Sequence, residues 1–226
     1  MGYFIIVGIF SLIGMVVSNR LKAKFSLYSK VPMQNGRSGA EVAQAMLDHY
    51  GISNVKITQG QGMLTDHYNP ATRTVSLSPE VFNGRHVAAA AVAAHECGHA
   101  VQHAQAYAWL KFRSAMVPVV SLAARAQQYL LLFALGAFGI SGGETLLYIT
   151  IAAFAVTTLF SLITLPVEFD ASNRALAWLE SSDYTHGREL AGAKDALWWA
   201  ATTYVVAALS SLVVLLYLIM SLSSRN

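Results

Sequence analysis

Charged side chains are scarce in this 226-residue chain. Asp, Glu, Lys and Arg make up 12% of the residues, about half the share found in an average soluble domain. Hydrophobic residues make up 55%, and the mean hydropathy is +0.46. This composition excludes an ordinary soluble domain and favours an integral membrane protein with some water-facing mass.

Cysteine and clustered basic residues are also missing. Cys97 is the only cysteine, so the chain has no internal disulfide and gives no sign of a secreted or oxidised protein. The net charge is only +3, and no run of Lys and Arg is flanked by aromatic residues. We therefore expect no nucleic-acid partner.

Three stretches contain no charged side chain, namely residues 1–19, 145–167 and 196–224. About 20 helical residues are needed to cross the ~30 Å hydrocarbon core of a bilayer. We therefore predict three transmembrane helices, at 3–18, 145–166 and 197–220. The first is expected to be a retained anchor, because its cationic residues follow it instead of preceding it.

A fourth crossing is predicted at 117–140, where Arg125 and the Gln127–Gln128 pair interrupt an apolar stretch. An arginine deep in lipid is costly, so Arg125 should face protein, water or lipid head groups. The next span needs a partner in order to reverse direction, and the short link SGGE suits a helical hairpin. We therefore expect about four transmembrane helices.

Positive charge is divided unequally between the two sides of this predicted topology. Segments 19–116 and 167–196 would lie on one side and carry thirteen Lys and Arg, whereas the other side receives only Arg225. Because positive residues favour the cytoplasmic side, we expect the water-facing mass to be cytoplasmic.

The larger water-facing segment has the pattern of a small α+β domain. Ser38–Tyr50 reads as a helix, since Ser38 and Glu41 form a capping box and Gly51 follows the last turn. Asn54–Thr58 and Thr74–Ser78 read as short β segments. The predicted fold is a mainly α integral membrane protein with this domain on the cytoplasmic side. Its parts are a transmembrane anchor (1–18), a cytoplasmic part (19–116), a transmembrane hairpin (117–166), a second cytoplasmic segment (167–196) and a C-terminal transmembrane helix (197–226).

The stretch AAVAAHECGHAVQH, residues 90–103, falls in a helix expected from His86 to Leu110. Its polar content argues against a fifth span and favours a helix buried by protein. His95 and His99 are four residues apart, so both imidazoles leave one helix face and can bind one zinc ion. Glu96 lies beside His95, where it can take a proton from zinc-activated water. This H-E-x-x-H arrangement is typical of metallopeptidases.

A catalytic zinc ion needs a third protein ligand and keeps one position for water. His103 extends the histidine stripe, but it lies about 12 Å along the helix axis from His95. The intervening residues contain no break that would let one ion reach both. We therefore expect His103 to support the site from outside the coordination sphere or to pack in the core.

Glu168 is the preferred third ligand. It directly follows an uncharged segment, and two predicted crossings separate it from His99, so both residues return to the same side. Asp170 and His186 are the next candidates.

Three further stretches carry a family resemblance. HECGHAVQH, EFDASNRAL and GAKDALWWAATTYVVAALSSLVVLLY resemble the bacterial neutral zinc metallopeptidases of the YugP type, and the likeness covers nearly the whole chain, including DHYNPATRTVSLSP. That family is similar to HtpX-like and CAAX-prenyl proteases. The resemblance implies a zincin-like domain in which His95, His99 and Glu168 bind one zinc ion per chain and Glu96 is the catalyst. Together with the charge distribution, we expect a bacterial inner-membrane protein with its active site facing the cytoplasm.

One position departs from the family pattern. The relatives read E-F-x-A-D, whereas E-F-D-A-S puts Ser172 in the second acidic position. A carboxylate that supports a ligand histidine must then come from Asp170 or from elsewhere. Asp170, His103 and His186 are the candidates for such support or for a donor to the transition state.

These observations predict a membrane-bound zinc endopeptidase in which Glu96 is the general base. The expected substrate is a peptide or a membrane protein at the lipid bilayer, and a regulatory membrane partner is left open. One hypothesis is that Thr74–Ser78 offers a sheet edge that binds substrate as an added strand; the alternative is that protein covers this edge.

A zinc-binding membrane scaffold or regulatory protein without hydrolytic activity is the alternative function. Glu96 favours catalysis, because zinc binding alone does not need it. An intramembrane site-2 protease would need a later L-D-G-like motif in a hydrophobic segment, and none of the uncharged stretches contains aspartate.

Overall fold

A computed structural model of the protein describes residues 2–136, 143–182, 184–185 and 187–223. In chain order its elements are α1 (Gly2–Tyr28), α2 (Gly39–His49), β1 (Lys56–Gln59), β2 (His67–Asn69), β3 (Thr74–Leu77), α3 (Pro79–Asn83), α4 (Val87–Ala104), α5 (Ala108–Gly136), α6 (Gly143–Ser181) and α7 (Arg188–Ser223). They form two compact units. The first comprises residues 1–16, 111–165 and 203–226, and the second comprises 17–110 and 166–202.

Among the described residues, three helices are long and apolar enough to cross a membrane, namely Gly2–Tyr28, Thr145–Ser181 and Arg188–Ser223. They contain the described parts of the three uncharged stretches of the sequence. The crossing at 117–140 stays a prediction, because residues 137–140 lie outside the described residues.

The first unit carries its apolar side chains outermost. Phe4 is 63% exposed and Leu122 is 71% exposed, which is the pattern expected of helices that face lipid. Polar groups pair within the unit instead. The Gln127 amide on α5 donates to the Thr157 hydroxyl on α6 at 3.0 Å, as the low dielectric of a bilayer would require.

Helix α2 is capped at both ends and packs in the core of the second unit. The predicted capping box is confirmed: the Ser38 hydroxyl accepts from the Glu41 N–H, and the Glu41 carboxylate accepts from the Ser38 N–H at 2.7 Å. Gly51 follows the helix with φ +66°, a left-handed conformation that glycine adopts without strain. The inner face of α2, including Val42 and Met46, is fully buried in the same core cluster as the alanines of α4.

The sheet has the strand order β1-β3-β2. β3 is parallel to β1, with Ile57 opposite Val75, and antiparallel to β2, with Tyr68 opposite Val75. The central strand is therefore the segment predicted as Thr74–Ser78, and it offers no free edge. The hypothesis that this segment binds substrate as an added strand is wrong, because both of its sides are already paired.

Helix α4 runs through the core of the second unit. Fourteen of its eighteen residues are buried, as expected for a helix enclosed by protein. It is shorter than the predicted 86–110: His86 is its N-cap, the helix ends at Ala104, and Ala106 takes φ +56° before α5 begins.

Helices α4 and α6 approach each other closely at Gly98. A Cβ atom at this position would lie 2.5 Å from the main-chain oxygen of Ala171. Ala94 and Ala175 are also fully buried on these two helices, so small side chains let the backbones come together. This close approach brings the H-E-x-x-H helix up to the segment that carries Glu168.

We expect Gly98→Ala to push α4 and α6 apart. The added methyl group meets a main-chain oxygen, which cannot rotate away, and overpacking of this kind typically costs about 1–3 kcal/mol. Thermal unfolding in detergent should show a lower melting temperature, and metal analysis should show reduced zinc content.

Gly14→Ala is the matched control, because a Cβ on that helical glycine meets no atom within 4 Å. Wild-type zinc content and melting temperature in Gly98→Ala would contradict the role given to this contact.

Candidate metal centre

Two imidazoles leave α4 side by side. The rings of His95 and His99 have centroids 4.9 Å apart and an interplanar angle of 82°. The alanine-rich sequence keeps α4 regular around them, and the His86 side chain caps its start by accepting from the Ala89 N–H at 3.1 Å. Regular helix geometry thus places the two rings as their i,i+4 spacing predicts.

The carboxylate of Glu168 reaches both rings from α6. Its Oε2 atom lies 3.3 Å from His95 Nε2 and 3.5 Å from His99 Nε2. One potential ligand atom from each of the three residues lies within 4.8 Å of the others. The structure therefore brings together the three residues that the sequence analysis selected as metal ligands.

The centre is buried and favours positive charge. Glu168 is 3% exposed and His99 is 8% exposed. Burial by itself lowers the pKa of His99, but the hydrogen bond and the charge of Glu168, assisted by Glu96, outweigh burial and leave this pKa above its ordinary value. A cation held among these side chains is therefore stabilised by the buried carboxylate.

The spacing and the donor types both fit zinc. Donor atoms roughly 2.0–2.2 Å from a tetrahedral zinc ion lie roughly 3.3–3.6 Å from each other. The distances from Glu168 to His95 and His99 fall in this range. Two imidazole nitrogens and one carboxylate oxygen suit zinc, whereas calcium and magnesium prefer oxygen ligands alone.

Each histidine is held at the ring nitrogen that faces away from Glu168. His95 Nδ1 lies 3.1 Å from the Ser172 hydroxyl. His99 Nδ1 lies 3.0 Å from the Gln102 side-chain oxygen. These contacts leave the two Nε2 atoms as the ones that meet the carboxylate, and such outer contacts commonly orient metal-binding histidines.

Asp170 is linked to His99 indirectly, through the side chain of Gln102. Its carboxylate accepts from the Gln102 amide at 2.8 Å and from the Arg174 side chain at 2.5 Å. It is not one of the three clustered residues, where Glu168 and not Asp170 lies beside the two histidines. Its hydrogen bond to Gln102 links it to His99.

Glu96 follows His95 on the same helix and is 8% exposed. A step of about 100° around the helix separates it from the metal-facing side chain. Its charge contributes to the raised pKa of His99.

The remaining polar residues of the motif lie elsewhere. Cys97 is fully buried, its Sγ donates to the Ala43 main-chain oxygen at 3.5 Å, and burial strongly raises its pKa, so the neutral thiol is not a metal ligand. His103 Nδ1 pairs with the Tyr68 hydroxyl at 2.7 Å, which ties α4 to β2. His186 lies outside the described residues. Supporting roles for His103 and His186 stay predictions.

Gln102 is the residue that the sequence analysis missed. It is fully buried and contacts His99 as well as α6. Its position three residues after His99 was a usable signal, because i,i+3 side chains are neighbours on a helix.

Fold and centre together define a class: a helical protein with apolar helices of membrane-spanning length and an H-E-x-x-H metal centre built from two helices. The family described as "Putative neutral zinc metallopeptidase" matches residues 3–223, and the chain belongs to this family. A relative, "Putative membrane protease YugP" of Bacillus subtilis (strain 168), is 41% identical over 201 residues, which cover 89% of this chain and 88% of the relative. No solved structure matches the chain. The resemblance found in the sequence is thereby confirmed.

Removing a ligand side chain from either α4 or α6 should abolish zinc binding at the centre. We expect His99→Ala and Glu168→Ala each to lose zinc or to bind it far more weakly, because each variant leaves only two of the three donors. Mass spectrometry of the metal in detergent-purified protein would measure this against about one zinc ion per chain in the wild type.

Two exposed residues provide matched controls, namely His67→Ala in β2 and Glu180→Ala in α6, and both should keep wild-type zinc content. Unchanged zinc affinity in Glu168→Ala would refute the ligand assignment on the α6 side.

Proposed function

We propose that the protein is a membrane-bound zinc endopeptidase with its active site on the cytoplasmic side of the bacterial inner membrane. The observation that carries this proposal is the meeting of Glu168 with His95 and His99 at zinc-like spacing, beside Glu96. A purely structural zinc site would have four protein ligands, whereas the part of the chain that the structure describes supplies three clustered donors, which would leave a position for water.

Zinc binding would use the Nε2 atoms of His95 and His99 and a carboxylate oxygen of Glu168. Zinc supplies a Lewis acid that makes water nucleophilic near neutral pH and polarises the scissile carbonyl. The outer contacts of the two histidines hold their rings in place, so the donor atoms are prepared before the ion arrives.

Glu96 moves the proton. Its carboxylate accepts a proton from the attacking water as the oxygen–carbon bond forms at the peptide carbonyl. It then delivers the same proton to the leaving amine as the carbon–nitrogen bond breaks. The proton balance closes, because the products are a free carboxyl group and a free amine.

The substrate is proposed to be an extended peptide segment of a membrane protein. β2 is an edge strand, since the sheet order is β1-β3-β2, and its Tyr68 is hydrogen-bonded to His103 of the metal-binding helix. An added strand on β2 would pair with a strand that is itself hydrogen-bonded to α4, the helix that carries Glu96 and both histidines. This mode uses main-chain hydrogen bonds for affinity, so it suits unfolded segments of varied sequence.

The cytoplasmic orientation is supported by charge. Segments 19–116 and 167–196 hold the thirteen cationic residues, and these segments make up most of the unit that contains the centre. Their positive charge favours the cytoplasmic side.

Glu96→Gln should separate metal binding from catalysis. The amide keeps the shape of the side chain but cannot accept the proton, so activity should fall about 10²–10⁴-fold while zinc content stays at the wild-type level. The assay is the appearance of new N-termini in a mixture of denatured membrane proteins, detected by mass spectrometry.

Glu180→Gln makes the same chemical change at an exposed site on α6 and should leave cleavage intact. Full activity in Glu96→Gln would exclude the mechanism. A wild-type protein that holds zinc yet cleaves nothing would favour the scaffold alternative.

The orientation of the protein in the membrane can be tested with an introduced cysteine. The native Cys97 is fully buried, so Lys56→Cys in β1 should be the reactive position in the folded protein. A membrane-impermeant thiol reagent should label it in inside-out membrane vesicles and spare it in right-side-out vesicles.

Ser223→Cys at the end of α7 is predicted to give the reverse pattern. Labelling of Lys56→Cys from the outside would invert the proposed topology.

A further inference from the structure

Gln102 is a fully buried amide whose polar atoms all have partners. Its side-chain oxygen lies 3.0 Å from His99 Nδ1. Its side-chain nitrogen donates to the Val167 main-chain oxygen at 2.8 Å and to the Asp170 carboxylate at 2.8 Å. An amide has two N–H donors and one oxygen acceptor, and this environment uses both kinds.

The partners determine which way the amide points. A main-chain carbonyl can only accept a hydrogen bond, so the atom of Gln102 that faces Val167 must be the nitrogen. The oxygen must then face His99. An amide oxygen also can only accept, so Nδ1 of His99 has to carry a hydrogen.

This arrangement sets the state of the other ring nitrogen. A neutral imidazole has one N–H group, and the second nitrogen has a free electron pair. With a hydrogen held on Nδ1, the hydrogen that His99 can give up is the one on Nε2, the atom that faces Glu168 at 3.5 Å. Loss of that hydrogen leaves the ring in the tautomer that a metal ion requires.

His95 is held differently. Its Nδ1 contacts the Ser172 hydroxyl at 3.1 Å, and a hydroxyl can either donate or accept. Ser172 therefore fits both tautomers of His95. The two histidines of one centre differ in how strictly their outer contacts define the hydrogen position.

Further contacts keep the Gln102 amide in place. Arg174 donates to Asp170 at 2.5 Å and also to the Gln105 side-chain oxygen at 2.5 Å. Val167, Asp170 and Arg174 are three and four residues apart, so they share one face of α6. The network joins α4 and α6, the two helices that carry the three clustered residues.

We propose that Gln102 is a positioning residue that keeps a hydrogen on His99 Nδ1, so that Nε2 is the ring nitrogen that binds zinc. Asp170 and Val167 act through Gln102 by holding the amide in the required orientation. The proposal rests on the metal centre of the proposed function, but it concerns the metal-free protein and does not depend on peptidase activity.

The first test is spectroscopic. Nuclear magnetic resonance of metal-free protein labelled with ¹⁵N-histidine distinguishes protonated from unprotonated ring nitrogens. We expect His99, identified by the loss of its signals in His99→Ala, to show a hydrogen on Nδ1, whether or not Nε2 also carries one. A neutral ring with its hydrogen on Nε2, or an even mixture of the two neutral tautomers, would overturn the proposal.

The second test is the zinc dissociation constant, measured by competition with a chromophoric chelator. Gln102→Met keeps the length of the side chain and removes both donor and acceptor, so zinc affinity should fall about 10–100-fold. The His99 resonances of this variant should shift towards the Nε2–H tautomer. Gln44→Met, at an exposed position of α2, is the matched control and should bind zinc like the wild type.

Positioning has to be distinguished from simple loss of packing. A Gln102→Glu exchange is unsuitable, because its carboxylate could not donate to the Val167 main-chain oxygen. The His99 resonances separate the two effects instead, since simple loss of packing in Gln102→Met would lower the melting temperature and leave a hydrogen on Nδ1. Affinity within twofold of the wild type in Gln102→Met, with unchanged His99 resonances, would exclude the role assigned to Gln102.

The two proposals fail in different ways. Wild-type protein that binds no zinc but shows the Nδ1–H tautomer would refute the zinc endopeptidase and leave the positioning contact intact. Protein that binds zinc and cleaves substrate, but shows the Nε2–H tautomer when metal-free, would refute the positioning role alone.

Discussion

The close approach of two helix backbones at Gly98 is the constraint on which the metal centre depends. Two ligands belong to α4 and the third belongs to α6, so the donor atoms meet only if the helix axes are unusually near. A glycine within a helix costs about 1 kcal/mol relative to alanine. Here that cost allows Ala171 to pack against α4, and the buried carboxylate of Glu168 then reaches both rings.

Polar groups in such a tight interface must all find partners. Burying an amide or a carboxylate is unfavourable unless hydrogen bonds replace those made with water. The side chains between α4 and α6 meet this requirement jointly, because Gln102 satisfies His99, Asp170 and the carbonyl of Val167 at once. The rigidity of this network and the geometry of the centre have the same origin, since any displacement of one helix would break several bonds together.

Sequence reasoning succeeded where spacing along the chain determines geometry. The i,i+4 spacing of His95 and His99, the capping box of α2 and the uncharged stretches each depend on local regularity. Glu168 could be selected because it directly follows an uncharged stretch. Sequence reasoning failed where distant contacts decide. β2 has only three residues, too few for a periodic pattern. The end of α4 is followed by Ala106 at φ +56°. Alanine rarely adopts this left-handed conformation, so the sequence does not predict it. The partners of Gln102 on α6, Val167 and Asp170, lie 65 and 68 residues away in the sequence, beyond the reach of any local motif.

The division of the centre between α4 and α6 also orders its formation during synthesis. A ribosome makes both histidines before it has made α5 or most of α6, and Glu168 appears only after those apolar segments have emerged. A nascent chain therefore has only an incomplete donor set until α5 and the apolar part of α6 have been made. The finished centre is in this sense a later product of biogenesis than the H-E-x-x-H helix, and its metal occupancy reports that α4 and α6 have been brought together.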